Sequence, residues 1–237
     1  MTITFPEFNS VRSGAKDVPL DFGAATPLPP AKARRFGVYR HLLKRVFDVS
    51  AIVLAAPVVA PVVLGLALAV ALEGGRPFYT QMRVGKGGRV FRMWKLRSMV
   101  IDADARMETY LDGNPAARTE WDSTQKLQED PRVTPLGQFL RRSSLDELPQ
   151  LWNVLIGDMS LVGPRPMLPN QQVMYPGTAY YALRPGITGY WQTAGRSRTT
   201  FEARAEFDAA YEADLSLVTD IRILARTVGV VLHGTGV

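Results

Sequence analysis

The longest apolar run in the sequence, Val49 to Leu72, is interrupted by a single hydroxyl, that of Ser50. As a straight helix at about 1.5 Å per residue it reaches roughly 36 Å, enough to fill a hydrocarbon core of about 30 Å. Helices that are apolar on every side for this length are rare in soluble cores. Pro57 and Pro61 fall at its centre. Each lacks an amide donor and crowds the carbonyl four residues back, so a bend is predicted near Pro61. Two topologies satisfy the pattern. The simpler is a kinked span; the other is a helix that enters the bilayer, breaks and returns to the same face. Ahead of the run, residues 1–36 carry Pro6, Pro19, Pro27, Pro29 and Pro30 without sustained periodicity and read as a disordered tail. No apolar core near the start marks a signal peptide.

Beyond Gly74 and Gly75 the pattern changes. Phe78 to Met82 and Val90 to Leu96 flank a Gly85-Lys86-Gly87-Gly88 turn and predict a β-hairpin. Residues 102–130 read as polar helix with a break at Asn114-Pro115, and further helices are expected over Leu136 to Arg142 and from Asp146 or Glu147 to Ile156. From Phe201 to Leu232 the spacing of Phe201, Ala205, Phe207 and Tyr211, then Leu217, Val218, Ile221, Leu224, Val228 and Val231, is amphipathic. Such helices can cover a core or lie in a membrane interface.

Composition narrows the chemistry. The 237 residues include no cysteine and two histidines, which excludes a disulfide scaffold, a thiolate zinc site and a cysteine nucleophile, and argues against a Ser/His/Asp triad. Any metal would be held by oxygen ligands. The net charge of +6 and a pI near 9.7 call for an anionic partner: nucleic acid, an acidic membrane face or a phosphorylated substrate. Arg34, Arg35, Arg40, Lys44 and Arg45 precede the apolar run, while Arg76, Arg83 and Lys86 follow it, a bias that places the N-terminal flank in the cytoplasm.

Three arginine-bearing turns surround one acidic pair. They are Leu140 to Pro149 with Arg141, Gly157 to Pro166 with Arg165, and Leu183 to Gly189 with Arg184. A guanidinium held on a turn stiffened by proline or glycine suits bidentate capture of phosphate oxygens; solvated or carboxylate-paired turn arginines are the plainer alternative. Asp146 and Glu147 can serve as caps: Ser144 to Glu147 fits a capping box, and Asp146 itself can be the cap ahead of Pro149. In the first turn of a helix a carboxylate also feels the positive end of the dipole and stays ionised, as a nucleophile must. Neighbours on a helix point about 100° apart, so the two carboxylates are expected to have different roles.

Taken in order, Lys44-Arg45-Val46-Phe47-Asp48, Phe91 to Met99 with Lys95, Ser144 to Pro149, Gly163-Pro164-Arg165-Pro166 and Arg184-Pro185-Gly186-Ile187-Thr188-Gly189 resemble the bacterial sugar transferases, monotopic polyprenol-phosphate sugar-1-phosphate transferases. The resemblance covers residues 44–232. It implies transfer of hexose-1-phosphate from a UDP-hexose to undecaprenyl phosphate, with release of UMP and a requirement for Mg²⁺, as the first membrane step of exopolysaccharide synthesis. It assigns Asp146 as the phosphorylated nucleophile and Glu147 as its partner, with both near the metal. Arg141, Arg165, Arg184 and Lys95 would hold phosphates, with Asp158 in support. Pro57 and Pro61 would break a re-entrant helix, although the family's Ser-Pro pair is Ala60-Pro61 here. Lys44 and Arg45 would meet anionic lipids at the membrane interface.

The implied fold is α+β and mostly helical: an N-terminal re-entrant membrane helix, a β-hairpin and amphipathic interfacial helices around a small cytosolic catalytic domain. Its parts are a disordered cytoplasmic tail (1–36), a membrane-inserted kinked helix (37–73) and a cytosolic transferase domain (74–237) on the bacterial inner membrane. Extra N-terminal spanning helices of larger relatives are not expected. The long stretch over residues 102–130 is closer to the exopolysaccharide-initiating branch, which favours galactose or glucose as the sugar. The oligomeric state is open, and a homodimer is compatible with the sequence. A non-catalytic membrane scaffold or regulator of a polysaccharide complex is the competing reading. Nucleic-acid binding rests on net charge alone, since no docking signature is present.

Overall fold

The computed structural model describes residues 37–124, 127, 129–195 and 200–232. The expected tail, with Arg34 and Arg35, and His233 lie outside the described residues. A π-helical turn, Tyr39–Leu43, leads into helix α1, Lys44–Leu72, and helical conformation continues through both Pro57 and Pro61. The prolines remove two amide donors without ending the helix.

Only 11% of the apolar window of this helix is buried, so the protein itself does not supply the apolar surroundings that its side chains require. Its two ends are anchored. Ile52, near the start, packs with Phe91, Met93, Val154 and Met159, and Ala67 and Val70, near the end, pack with Leu96 and Leu140. The Arg97 guanidinium donates to the Val70 carbonyl at 2.9 Å. Between these anchors Val53, Leu54, Val58, Val62 and Leu64 stand exposed.

The hairpin forms as its pattern predicts. Strands β1 (Phe78–Val84) and β2 (Val90–Leu96) pair antiparallel, with Phe78 opposite Leu96 and Val84 opposite Val90. Gly87 and Gly88 take φ of 69° and 80° in the turn, a region that side chains disfavour. The inward positions Phe91, Met93 and Leu96 of β2 meet both ends of α1. Helices α2 (Ala103–Gly113) and α3 (Pro115–Thr124) follow. Asn114 caps α3 by accepting the Ala117 amide at 3.2 Å, with proline at the first helical position. Helix α4, Pro135–Ser143, starts at Thr134, whose hydroxyl accepts the Gly137 amide at 2.9 Å.

The acidic pair does not sit in a capping box. Ser144 closes α4 in the left-handed region, at φ 58° and ψ 19°, and its side chain makes no cap bond to the 3₁₀ turn Leu145–Glu147 that follows. The next helix, α5, begins only at Gln150 and runs to Ile156, with Pro149 ahead of it. The left-handed residue turns the chain so sharply that the carboxylates fall on a tight turn between two helices.

One element escapes the hydrophobic pattern. Strands β3 (Ser160–Val162) and β4 (Gly186–Thr188) lie in the two proline- and glycine-rich arginine segments and pair in parallel, Ser160 with Gly186 and Val162 with Thr188. Three residues are too few for a period-2 signal. The short helix α6, Ala179–Ala182, separates them in sequence.

Helices α7 (Arg204–Asp214) and α8 (Leu217–Leu232) close the structure, with Tyr211 and Ile223 buried against Val162 and Leu183. The other face of α8 leaves Leu217, Val218, Ile221 and Val228 exposed.

Lys44 and Arg45, expected at the lipid interface, turn inward instead. The Lys44 ammonium sits 2.6 Å from the fully buried Asp220 carboxylate, which also accepts the hydroxyls of Tyr39 at 2.5 Å and Tyr211 at 2.6 Å. Removing one member of such a buried pair costs about 3–5 kcal/mol, because the other charge is left without a partner. Arg45 donates to the Val154 carbonyl and, at 2.6 Å, to that of Leu155, neutralising the negative end of α5. Both cations therefore bolt the start of α1 to the domain.

Candidate active site

The site is assembled by β2, the 3₁₀ turn and the β3–β4 pair. Asn153 of α5, fully buried, accepts the Trp94 amide at 2.9 Å and donates to the Arg92 carbonyl at 2.7 Å. One side-chain amide thus holds β2 against α5, and with it the position of Lys95. The Lys95 ammonium lies 2.7 Å from Glu147 Oε1 and 3.5 Å from Asp146 Oδ2. Asp146 is buried and touches the cleft through Lys95, whereas Glu147 lines it directly together with Arg83, Arg165, Pro166 and Gly186.

The two carboxyls of the dyad are shifted in opposite directions. Burial, reinforced by the neighbouring Glu147 charge, pushes the Asp146 carboxyl above its ordinary value against the pull of Lys95 and Arg141. Burial acts on Glu147 in the same direction, but Lys95, Arg165 and Arg83 together outweigh it and hold this carboxyl below its ordinary value. Two carboxyls of one cleft shifted in opposite directions by burial and by specific charges mark it as a candidate functional site. The turn that carries Asp146 is too short to supply the helix dipole expected to favour its ionised form, and the pull in that direction comes from Lys95 and Arg141 instead.

The arginines divide. Arg165 is exposed on the wall of the cleft, its guanidinium 5.5 Å from the ring centre of Trp191. Arg141 lies behind the dyad, tied through Nε to the Ser98 hydroxyl at 2.9 Å. Arg184 is not brought to this cleft; its Nε donates to the Gly157 carbonyl at 2.9 Å and its side chain lines a second one. Asp158 meets the Asn153 amide at 3.4 Å, a contact on the support rather than in the cleft.

The sequence marks Arg83 only as one of the cations that follow the apolar run. It is fixed by the Pro166 carbonyl at 3.1 Å and the Gln81 side chain at 2.5 Å, and burial followed by the Arg165 charge lowers its affinity for a proton. Arg204, 4.2 Å from the ring centre of Trp191, is lowered to about 10 by burial and by Arg165. Cations crowded together under partial burial make a strongly positive wall facing the carboxylates. A lone arginine on a strand gives no local signal of this role.

Among the described residues no group of three or more His, Asp or Glu gathers to cage a metal. Mg²⁺ does not need one: it is ordinarily held by one or two carboxylates and completed by substrate phosphates and water. Asp146 and Glu147, already converging on one cation within 3.5 Å, match that donor set.

The chain matches the bacterial sugar transferase family over residues 39–234. It is 45% identical over 198 residues to a UDP-galactose-lipid carrier transferase of Erwinia amylovora, an alignment covering 83% of this chain and 42% of that protein. It is 42% identical over 198 residues to an undecaprenyl-phosphate galactose phosphotransferase of Salmonella typhimurium, with the same two coverages. The chain thus spans under half the length of these relatives. A second kind of relative is nearer its own size: the exopolysaccharide production protein ExoY of Rhizobium meliloti is 41% identical, with 82% of this chain and 88% of that protein aligned.

Proposed function

The chain belongs to the bacterial sugar transferase family, and from that premise we propose that it moves a hexose-1-phosphate from a UDP-hexose to undecaprenyl phosphate and releases UMP. The observation that carries this reading is the convergence of Asp146 and Glu147 on Lys95 beside a wall of arginines. A carboxylate nucleophile divides phosphoryl transfer into two displacements, and fixed cations stabilise the charge that develops on the diphosphate.

In the first displacement Asp146 Oδ attacks the β-phosphorus of the nucleotide sugar. The bond from that phosphorus to the bridging oxygen breaks, and UMP carries the bridging oxygen away. In the second, an oxygen of the lipid phosphate attacks the same phosphorus and frees Asp146, leaving the sugar diphosphate on the lipid. Glu147 and Lys95 fix the position of the nucleophile, while Arg165 and Arg83 face the diphosphate. Mg²⁺, held by Asp146 and Glu147, would neutralise diphosphate charge.

The names of relatives support galactose or glucose as the sugar: the Erwinia and Salmonella relatives are named for galactose, and a 40% identical Escherichia coli relative is named a UDP-glucose:undecaprenyl-phosphate glucose-1-phosphate transferase. The decisive assay is UMP release by purified chain with Mg²⁺ and undecaprenyl phosphate, screened over UDP-galactose, UDP-glucose and UDP-N-acetylhexosamines. Release with one hexose donor is expected; none with any donor would favour the scaffold reading.

We also read α1 as re-entrant on the cytoplasmic face of the bacterial inner membrane, with the exposed apolar face of α8 lying in the interface. Support comes from the two anchored ends of α1, which return to the same strand β2 on either side of an exposed apolar middle. Because the chain has no cysteine, His41→Cys and Arg76→Cys can each be labelled without background. Both are expected to react from the same side of sealed vesicles, and labelling from opposite sides would overturn this topology.

A further inference from the structure

Arg184 belongs to a sequence segment that suggests phosphate binding, yet it lines a cleft that shares no residue with the one beside Glu147. We infer that this second cleft, about 330 Å³ of space open to solvent, is a binding site for a phosphate group gripped by Lys86 and Arg184 with Arg40 alongside. The inference stands apart from the reaction proposed above and does not depend on it.

Arg40, Lys44, Lys86 and Arg184 line the cleft with one carboxylate, Asp48. That carboxylate is already engaged, accepting the Ser160 hydroxyl at 2.7 Å and the Leu161 amide at 3.2 Å. Lys44 is taken by Asp220 and Arg40 by Glu212, each within 2.7 Å. Among the described residues, no carboxylate forms an ion pair with Lys86 or Arg184. The single bond from Arg184 Nε to Gly157 fixes the guanidinium plane, and its two terminal nitrogens are used by no hydrogen bond among the described residues.

Two unpaired cations held beside a third are unfavourable unless an anion completes the cluster. The strain registers on Lys86, at the exposed hairpin tip: partial desolvation, then Arg184 and Arg40, lower its affinity for a proton. A planar guanidinium offers two parallel donors and an ammonium offers a movable point charge, a combination suited to the oxygens of a tetrahedral phosphate. The cleft also lies where the apolar helix begins, since Arg40 and Lys44 stand at the entry to α1. A phosphate there could be a lipid head group or free in solution.

The test uses the full chain in phosphatidylcholine nanodiscs, with lysines ¹³C-methylated and the Lys86 resonance assigned by its loss in Lys86→Arg. Inorganic phosphate and dihexanoyl phosphatidic acid are titrated separately. Saturable movement of the Lys86 signal is expected, with its titration midpoint rising towards that of an ordinary lysine. Arg184→Gln should weaken binding about tenfold or more, the loss expected for one charge-assisted contact, while Asp146→Asn leaves it unchanged. Because Lys86 is exposed at a turn, Lys86→Gln should fold normally and show a similar loss by calorimetry. Equal affinity for the two probes identifies a free phosphate site; tenfold tighter binding of phosphatidic acid identifies a head-group site. No saturable movement with either probe overturns the inference, as does an affinity that Arg184→Gln leaves unchanged or that Asp146→Asn abolishes.

Discussion

Asp146→Asn is expected to reduce UMP release by a factor on the order of 10⁴ or more, the scale seen when a covalent nucleophile is removed from an enzyme. Asparagine keeps the shape of the side chain, and Lys95 keeps its 2.7 Å partner Glu147. The fold should therefore survive, with a thermal midpoint at or above that of the parent, because a buried carboxylate has been neutralised. Wild-type release by a folded Asp146→Asn protein would remove Asp146 from the role of nucleophile. The same residue sets the acid limb of the pH profile. Burial pushes its carboxyl above its ordinary value, and in the proposed mechanism only the ionised form attacks. The rate kcat/KM should thus be full at high pH and fall as pH drops through that raised value, earlier than an exposed aspartate would allow. Glu147 is shifted the other way, below its ordinary value.

The parts of the molecule that sequence reveals are those whose causes are local. The hairpin over Phe78 to Leu96, the helix break at Asn114-Pro115 and the amphipathic face of α8 each follow from periodicity or from the chemistry of one turn. The dyad is legible as chemistry but not as geometry. Ser144 and Glu147 have capping-box spacing, yet the left-handed backbone of Ser144 spends that residue on ending α4. Lys44 and Arg45 look like membrane-flanking cations because charge bias is counted along the chain. What decides their place is Asp220 and the carbonyls of α5, more than a hundred residues away. Arg165 and Arg184 occupy similar turns and part company in space for the same reason: a carbonyl at Gly157 claims one, and an aromatic ring faces the other.

Gly186→Ala is expected to be strongly destabilising, and its cause is space rather than backbone freedom. A Cβ at Gly186 would stand 2.1 Å from the Gly163 nitrogen and 2.4 Å from the Thr188 carbonyl oxygen, and one at Gly163 would stand 2.3 Å from the Arg184 carbonyl oxygen. These are backbone atoms, which cannot swing aside as a side chain can. To admit a methyl group the parallel strands must separate, which strains or breaks the bonds from Gly163 N to Thr188 O and from Gly186 N to Pro164 O, both 2.8 Å, and from Ser160 N to Pro185 O at 2.9 Å. Overpacking together with buried amides left unpaired should cost about 3 kcal/mol or more, which for a chain of this size lowers Tm by roughly 6–12 °C. Gly113→Ala is the control: it has open space around its Cβ position at the end of α2 and should leave Tm nearly unchanged. The strand pair also carries Arg165 to the cleft beside Glu147, so Gly186→Ala protein that remains folded at low temperature should still lose activity. A parent-like Tm in thermal unfolding would mean that β3 and β4 are not packed backbone to backbone, and the placement of Arg165 would fall with them.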